Sequence, residues 1–160
     1  MKLIILQGIP ASGKSTIATE WQAQDPSNRI IVSRDALRHA RGQYWIPTQE
    51  NLITRLELFM VQESLADGLE VMIDATNFNP AYLKRFHTIA AQAGLTQVEH
   101  WLVHTSLDEC VSRDGNADRP HHVGETVISS FYGKYVSYCR NNDIKIVPGT
   151  ITKTSINVSD

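Results

Sequence analysis

The stretch Gly8-Ile9-Pro10-Ala11-Ser12-Gly13-Lys14-Ser15 decides how this sequence folds. It matches the pattern GxxxxGK[ST] and lies between an apolar run, Lys2–Gln7, and a segment of helical character, Lys14–Gln24. Glycine at the two fixed positions allows backbone angles and close approaches that a side chain would block. The loop amides and the positive end of the following helix then converge on one anion. The sequence therefore predicts a phosphate-binding loop between a strand and a helix.

A loop of this kind binds the phosphates of a nucleoside triphosphate, and its polar side chains have separate tasks. Lys14 is expected to reach the β- and γ-phosphates of ATP, where its ammonium group balances their charge. The hydroxyl of Ser15 is expected to ligate Mg²⁺, an ion that prefers oxygen ligands. We therefore predict that the whole segment from Gly8 to Thr16 binds ATP together with Mg²⁺.

The rest of the chain alternates between strand-like and helix-like segments. Its 160 residues are 42% apolar and 20% charged, which fits one globular domain over residues 1–160. Strands separated by helices imply a mostly parallel sheet with helices on both faces, so the predicted fold class is α/β of the P-loop NTPase type. The predicted strands are Lys2–Gln7, Arg29–Ser33, Leu69–Ile73, Gln97–Val103 and Ile144–Val147, and the predicted helices are Lys14–Gln24, Thr48–Asp67, Asn79–Gly94, Ser106–Ser112 and Glu125–Asn141.

Three further segments carry weaker patterns. An apolar stripe at helical spacing in the second long helix predicts a surface that packs into the core. Residues 113–123 are rich in turn-forming residues and predict a loop. The tail from Gly149 to Asp160 alternates weakly, which fits either an edge strand or a contact between subunits of a homo-oligomer. The stripe consists of Leu52, Leu56, Phe59 and Met60.

Charge and composition narrow the classes of partner. The net charge of −2 argues against salt-driven binding along a nucleic-acid backbone, but it allows a local pocket for one nucleic-acid end. The apolar runs are too short to cross a bilayer, and no secretory signal pattern opens the sequence, so we expect a cytoplasmic protein without a membrane partner. Cys110 and Cys139 are far apart and predict reduced, packed thiols.

A carboxylate follows the second predicted strand directly. Asp35 would lie at the carboxyl edge of the sheet, next to the phosphate loop. A kinase that acts on a hydroxyl needs such a carboxylate to orient the acceptor and accept its proton. Arg38 shares a helix face with Asp35 and can pair with a substrate phosphate. The alternative is that Asp35 caps the helix and pairs with Arg38 on the surface.

These motifs together resemble a known family. Gly8–Thr16 followed by Ser33–Arg38 resembles the 5′-kinase domain of the phage-type polynucleotide kinase family, which acts in nucleic-acid repair. The similarity continues at Asp74-Ala75-Thr76-Asn77-Phe78-Asn79-Pro80, which looks like the family's Asp-Thr-Asn-x-Asn-Pro segment. It reappears between Arg113 and Arg119, in the place of the family's arginine-bearing lid. The resemblance covers most of the chain.

The resemblance implies transfer of the ATP γ-phosphate to the 5′-hydroxyl end of DNA or RNA. Asp35 would then be the general base, and Arg38 would contact the phosphate beside the terminal nucleoside. Lys14 and a lid arginine would stabilise charge on the transferring group. Asp74 would hold a magnesium-bound water or Ser15, although it is equally well explained as a structural acceptor in a turn. The implied substrate-binding residues are Arg34, Asp35, Arg38, Thr76 and Asn77.

The lid departs from the family's pattern. Its two arginines are farther apart than in relatives, and two aspartates lie between them. Arg113 is expected to end a helix, and Arg119 is the arginine that we expect to reach the phosphates. Both are also compatible with solvated positions that bind nothing.

Two other functions remain open on the same scaffold. A small-metabolite kinase fits the mildly acidic composition, although the arginines between Arg34 and Arg41 favour an acceptor that already carries phosphate. A non-catalytic nucleotide-binding switch is the other alternative. Asp35 argues against a switch, because a switch needs no base for a second substrate.

Overall fold

Five strands form one sheet in the computed structural model, which describes residues 1–116, 118–119 and 121–158. The strand order is β2-β3-β1-β4-β5. The first four strands run parallel, and β5 pairs with β4 in the antiparallel direction. This confirms the predicted α/β class with a mostly parallel sheet. The strands are β1 (Lys2–Gln7), β2 (Arg29–Ser33), β3 (Glu70–Asp74), β4 (Gln97–Val103) and β5 (Ile151–Asn157).

Helices connect the parallel strands, and side-chain caps begin three of them. Ser33, Asn79 and Ser106 each accept a hydrogen bond from a backbone amide in the first turn of the helix that follows. No helix among the described residues is long and apolar enough to cross a membrane. The helices are α1 (Lys14–Ala23), α2 (Arg34–Ala40), α3 (Glu50–Ala66), α4 (Pro80–Gln92), α5 (Leu107–Asp114) and α6 (Glu125–Asn141).

The central strand β1 divides the core into two faces. Leu3 and Ile5 pack on the side covered by α3 and α4, whereas Ile4 and Leu6 pack on the side of α1. All four side chains are completely buried. Complete burial stabilises the fold by roughly 1.5–3 kcal/mol for each such side chain. The phosphate loop therefore leaves the central, fully buried strand of the sheet, which gives it a rigid base.

The predicted strand at Ile144–Val147 is wrong. These described residues form an irregular segment after α6, in which Ile144 and Ile146 pack against the core cluster around Tyr135. The edge of β4 is instead occupied by β5, so the edge-strand interpretation of the tail is confirmed for residues 151–157. The last two tail residues, 159 and 160, lie outside the described part of the chain.

The apolar stripe predicted for α3 is wrong at three of its four residues, whereas the fourth, Met60, is partly buried and packs against the core. Phe59 is 62% exposed, and Leu52 and Leu56 are exposed as well. The buried face is rotated around the helix and includes three polar residues, Thr54, Glu57 and Ser64. A pattern of apolar residues cannot reveal such a face, because part of it is polar and points toward the site described below. The fully buried apolar members of that face are Ile53, Val61 and Leu65.

Candidate active site

The phosphate loop has the strained backbone that its sequence predicts. Gly13 has a φ of 99°, and Ala11 also lies in the left-handed region with a φ of 65°. A Cβ at Gly8 would lie 2.7 Å from the Ser12 hydroxyl oxygen and 3.2 Å from carbons of Lys14. The loop is therefore closed tightly around its own lysine, and glycine at position 8 leaves the space that this requires.

Lys14 lies inside the loop and is only 9% exposed. Its ammonium group donates to the carbonyl of Ile9 at 3.0 Å. Burial lowers the pKa of Lys14 from its ordinary value, and the nearby carboxylates of Asp74 and Asp35 partly oppose that effect. The protein thus holds a desolvated cation next to the place where phosphate oxygens would enter. Bound phosphates would compensate the electrostatic cost of this burial.

Ser15 and Asp74 form the candidate magnesium position. The Ser15 hydroxyl donates to Asp74 Oδ2 at 2.8 Å, and Asp74 ends β3 directly beside β1. Among the described residues no group of three or more His, Cys, Asp or Glu side chains could hold a metal. Mg²⁺ commonly takes one or two protein oxygens and completes its shell with water and substrate phosphates. One hydroxyl with one carboxylate behind it fits that mode of binding.

Asp35 faces the same cleft as the phosphate loop. A cleft of about 1260 Å³ is lined by Lys14, Ser15, Asp35, Arg38 and Asp74, among other residues. The Asp35 side chain is 65% exposed, and its Oδ1 accepts hydrogen bonds from Arg38 at 3.0 Å and from the Tyr44 hydroxyl at 2.7 Å. The carboxylate is therefore exposed, as the catalytic interpretation requires, and it pairs with Arg38, as the alternative predicts, although Ser33 and not Asp35 caps α2.

Carboxylates of α3 form ion pairs with Arg34 and Arg38 of α2. Glu50, the first residue of α3, accepts from Arg38 Nε at 3.1 Å and from Arg38 Nη2 at 2.5 Å. Arg34 lies 3.4 Å from both Glu50 and Glu57. Burial raises the pKa of Glu57 to about 7, although Arg34 opposes this effect. The basic cluster predicted from sequence is thus a compensated ionic network.

The sequence did not predict the contacts of Glu50, Glu57 and Tyr44 with the residues of α2. Each reaches Arg34, Arg38 or Asp35 only through tertiary packing, since α2 and α3 lie side by side while their partners are 9 to 23 positions apart in sequence. No local pattern could have identified Glu57, because a hydrophobicity pattern places an acidic residue on the solvent face; its burial and its pairing with Arg34 depend on tertiary packing.

The buried carboxylate of Asp114 joins the two ends of the lid, the segment 114–124 that contains Arg119. Asp114, at the end of α5, accepts hydrogen bonds from the amides of Val123 and Gly124 at 2.8 and 2.9 Å. Burial alone would raise the pKa of Asp114, but these two amides and Arg119 hold the pKa below its ordinary value. Both ends of the 114–124 segment are thereby tied together. The loop prediction for 113–123 fits this geometry from residue 115 onward, whereas Arg113 still belongs to α5; positions 117 and 120 lie outside the described residues.

The two lid arginines occupy different positions. Arg113 donates to the carbonyl of Ala11 in the phosphate loop at 3.4 Å and to Glu109 at 2.6 Å. Arg119 donates to the carbonyl of His121 and lies 3.7 Å from Asp114. Both line the large cleft. Arg113 is therefore in contact with the phosphate loop, whereas the guanidinium of Arg119 bonds within its own lid.

Arg113→Ala is expected to lower kcat by about 100-fold, and Arg119→Ala by less than tenfold. The reason is that Arg113 touches the loop that would hold the phosphates, and one charged donor to a transferring group is worth about that much. Rates at saturating ATP and acceptor would measure this. Glu109→Gln is the matched control, because it removes the ion pair of Arg113 without removing the arginine. A 100-fold loss in Arg119→Ala alone would reverse the assignment.

Thr76 and Asn77 form the turn after β3. The Asn77 side chain is buried and donates to the carbonyl of Leu6 at 2.7 Å, while its backbone carbonyl accepts from Gln7. Thr76 accepts through its carbonyl from Gly8 and lines both the cleft and a side pocket of about 510 Å³. The structure therefore places Thr76 where a substrate could touch it, and it gives the Asn77 amide a role in fixing the end of β1.

A buried polar chain supports the end of β1 from the other side. His87 Nε2 lies 2.8 Å from His100 Nε2, and His100 Nδ1 lies 3.3 Å from Oε1 of Gln7. Burial lowers the pKa of His100 to about 4. Because Gln7 offers an oxygen, the neutral ring carries its proton on Nδ1 and accepts from His87 at Nε2. Protonation of His100 would place two N–H groups against each other.

His100 is expected to destabilise the fold as the pH falls from about 6.5 to about 4. A group whose pKa is lower in the folded state binds its proton first in the unfolded state, so unfolding is favoured in that window. A lowering from 6.5 to about 4 corresponds to roughly 3 kcal/mol of unfolding free energy.

Urea denaturation of the wild type and of His100→Gln at matched pH values would measure this. Glu57 has the opposite slope, because its pKa is raised, and the pairwise comparison cancels its contribution. Parallel curves for the two proteins between pH 6.5 and pH 4 would contradict the expectation.

A strand, a phosphate loop with its lysine, and a carboxylate that follows β2, two positions away in the sheet, form a site of the P-loop type in one cleft. The chain belongs to the family described as AAA domain, whose model matches residues 3–134. That match covers most of the sequence and includes the phosphate loop, Asp35 and Arg113. The resemblance to P-loop kinases noted in the sequence is confirmed at this level.

The chain is similar to the L-seryl-tRNA(Sec) kinase of Methanococcus maripaludis, with 26% identity over 136 residues that cover 83% of this chain and 52% of that protein. It is also similar to a chain from the structure of the Pnkp1/Rnl/Hen1 RNA repair complex, with 24% identity, a TM-score of 0.76, and coverage of 93% of this chain and 48% of that one. The present chain therefore spans about half the length of these relatives.

A smaller kinase shares the fold at lower similarity. The structure of the Mycobacterium tuberculosis APS kinase CysC in complex with AMPPNP and APS matches with 18% identity and a TM-score of 0.56. The match covers 92% of this chain and 78% of that one. At these identities the likeness to the two solved structures shows the fold alone. Kinases named for quite different acceptors thus share this scaffold.

Proposed function

We propose that the chain is an ATP-dependent polynucleotide kinase that transfers the γ-phosphate to the 5′-hydroxyl end of DNA or RNA. The observation that carries the proposal is that Lys14 and Asp35 line one cleft at the carboxyl edge of the sheet, where they follow β1 and β2, with β3 between them. In this proposal the phosphates of ATP bind next to Lys14, and the acceptor hydroxyl binds next to Asp35. An accessible carboxylate opposite a phosphate loop is what hydroxyl phosphorylation requires.

Each residue has a defined task in this proposal. Asp35 accepts the proton of the attacking hydroxyl, and Arg38 positions the acceptor through a phosphate on its first nucleotide. Lys14 and Arg113 stabilise the negative charge on the transferring group. Ser15, supported by Asp74, would hold Mg²⁺, which neutralises phosphate charge when it is bound.

The side pocket offers space for a second nucleotide of a polymeric acceptor. Arg34, Ala75, Thr76 and Phe131 line both this pocket and the large cleft, so the two spaces are adjacent. The pocket adds the ring of Tyr82 and the ammonium group of Lys134. Aromatic rings that stack on bases and cations that meet phosphates are the usual means of binding single-stranded nucleic acid. A second nucleotide of the acceptor fits this chemistry.

A small-metabolite kinase is the second candidate, and the ionic network favours it. Glu50 holds the guanidinium of Arg38 through two hydrogen bonds, and Arg34 is paired with Glu50 and Glu57. The positive charge of α2 is therefore largely compensated, which weakens the attraction for a phosphorylated acceptor. A neutral hydroxyl compound would need no such attraction. The similarity to an L-seryl-tRNA(Sec) kinase adds an aminoacyl-tRNA hydroxyl to the acceptors worth testing.

Phosphoryl transfer from labelled ATP to a panel of acceptors tests the proposal. The panel contains single-stranded DNA and RNA with 5′-hydroxyl ends, a 3′-phosphorylated mononucleoside, seryl-tRNA, and sugar acids. We expect the oligonucleotides to be labelled at the 5′ end, and Arg38→Ala to raise the KM for the oligonucleotide while the ATP affinity is unchanged. Labelling of a metabolite or of seryl-tRNA, with none of the oligonucleotides, would overturn the polynucleotide assignment.

A further inference from the structure

The hydroxyl of Tyr44 is hydrogen-bonded to Asp35, the proposed catalytic base. Tyr44 Oη lies 2.7 Å from Asp35 Oδ1, the same oxygen that accepts from Arg38. Burial and the hydrogen bond to Asp35 raise the pKa of Tyr44 to about 12, so the phenol is protonated and donates to the carboxylate. A hydroxyl of the chain itself therefore stands in the position where an acceptor hydroxyl would have to be.

The Tyr44 ring is held in this place from several sides. The His121 ring lies 3.8 Å from it, centroid to centroid, and the His39 ring lies at 5.0 Å. The guanidinium carbon of Arg38 is 5.6 Å from the centre of the Tyr44 ring. These contacts come from the lid and from α2. Tyr44 is thus fixed between the two sides of the cleft mouth instead of extending into solvent.

Tyr44 also shares its cleft with the phosphate loop. The same space is lined by Lys14, Ser15 and Arg119, together with Tyr44 and Asp35. The Tyr44 hydroxyl therefore has a carboxylate in hydrogen-bonding contact and shares its cleft with the phosphate loop, as phosphoryl transfer to a hydroxyl requires of an acceptor.

We propose that Tyr44 is a self-phosphorylation site: with ATP in the phosphate loop and no acceptor present, the γ-phosphoryl group is transferred to Tyr44 Oη. The bond between the γ-phosphorus and the β,γ-bridging oxygen breaks, and a bond between the γ-phosphorus and Oη forms. The phenolic proton passes to the Asp35 carboxylate, and ADP leaves. The inference rests on the proposed function, since it uses Asp35 as the base.

The chemistry of the Tyr44 phenol and of its phosphate ester determines how readily the transfer occurs and what it changes in the cleft. Even with its pKa raised to about 12, the phenol of Tyr44 is more acidic than an aliphatic alcohol, so loss of its proton does not by itself slow the transfer to Tyr44. The product places a phosphate dianion beside the carboxylate of Asp35, and the two like charges repel each other. The phosphorylated ring must therefore leave Asp35, and the ring stacks with His121 and His39 are lost.

Incubation of the full chain with ATP and Mg²⁺ in the absence of acceptor tests this inference. Intact mass followed by peptide mapping should show one phosphoryl group per chain, located on Tyr44. Tyr44→Phe and Asp35→Asn should each abolish the modification. Tyr132→Phe is the matched control, since Tyr132 packs on α6 against Tyr135, and it should be labelled like the wild type. A saturating acceptor should slow the labelling of Tyr44 at least tenfold.

The possible outcomes separate this inference from the proposed function. An enzyme that phosphorylates an oligonucleotide but leaves Tyr44 unmodified, or that is still labelled in Tyr44→Phe, refutes the self-phosphorylation alone. Labelled Tyr44 without use of any oligonucleotide supports the inference and refutes the acceptor assignment. If neither Tyr44 nor any acceptor is labelled while ATP binds, both proposals fail.

Discussion

Replacement of Asp35 by asparagine is expected to lower phosphoryl transfer by about 10²- to 10⁴-fold and to leave ATP binding unchanged. The amide has nearly the same shape as the carboxylate and can still accept from Arg38 and Tyr44, so the geometry of the α2 end is retained. It cannot accept the proton of the attacking hydroxyl. The expected loss is the usual contribution of general base catalysis.

Single-turnover rates with labelled ATP, together with nucleotide binding by calorimetry, would separate the two effects. Asp67→Asn is the matched control, because Asp67 is exposed at the C-terminal end of α3 and outside the cleft. The control should keep the wild-type rate. Full activity of Asp35→Asn would remove the assigned base, and an equal loss of ATP affinity would move Asp35 to the nucleotide side of the cleft.

The phosphate loop was predictable because all of its determinants are contiguous in sequence. Two glycines, one lysine and one serine in fixed positions specify a backbone conformation, and the flanking strand and helix follow from local patterns. Asp35 was predictable for a similar reason. It comes directly after β2, and the carboxyl ends of parallel strands meet at one edge of the sheet.

The partners of these residues were not predictable from local pattern. Glu50 and Tyr44 reach Arg38 and Asp35 only because the 41–49 connection folds back and sets the start of α3 beside α2. The phase of α3 was misjudged for the same reason. Its buried face carries Glu57, whose burial is compensated by Arg34, and a hydrophobicity pattern treats such a residue as exposed.

The edge of the sheet shows a different limit. Residues 144–147 and 151–157 both have the composition of a strand, and only one of them can pair with β4. Residues 144–147 do not pair with β4, because the amide of Ile144 donates to the carbonyl of Cys139 at the end of α6. The side chains of Ile144 and Ile146 also pack into the core. The later segment then pairs in register from Val103 with Ile151 to Gln97 with Asn157.

The placement of Lys14 links the fold directly to the chemistry. Its ammonium group is buried, its pKa is lowered by that burial, and a single carbonyl in the loop accepts its hydrogen bond. A buried cation with so few partners costs stability in the free protein. Residues that are kept at such a cost are expected at sites where function requires them.

Lys14→Met is therefore expected to lower phosphoryl transfer by about 10²- to 10³-fold while the protein becomes no less stable. Methionine retains most of the volume of the lysine stem and removes the buried charge, so the melting temperature should stay the same or rise. The transfer rate falls because the γ-phosphate loses the cation that stabilises its developing charge. Lys84→Met, on the exposed side of α4, is the control and should retain the wild-type rate.

The opposite directions of these two measurements make the prediction specific. A lysine that served only to shape the loop would take stability down together with activity when it is replaced. A lysine that is held in an unfavourable position for the sake of the phosphates gives lower activity at equal or higher stability. A clear drop in the melting temperature of Lys14→Met would assign Lys14 a structural role, and the kinase mechanism would then have to take its positive charge from Arg113.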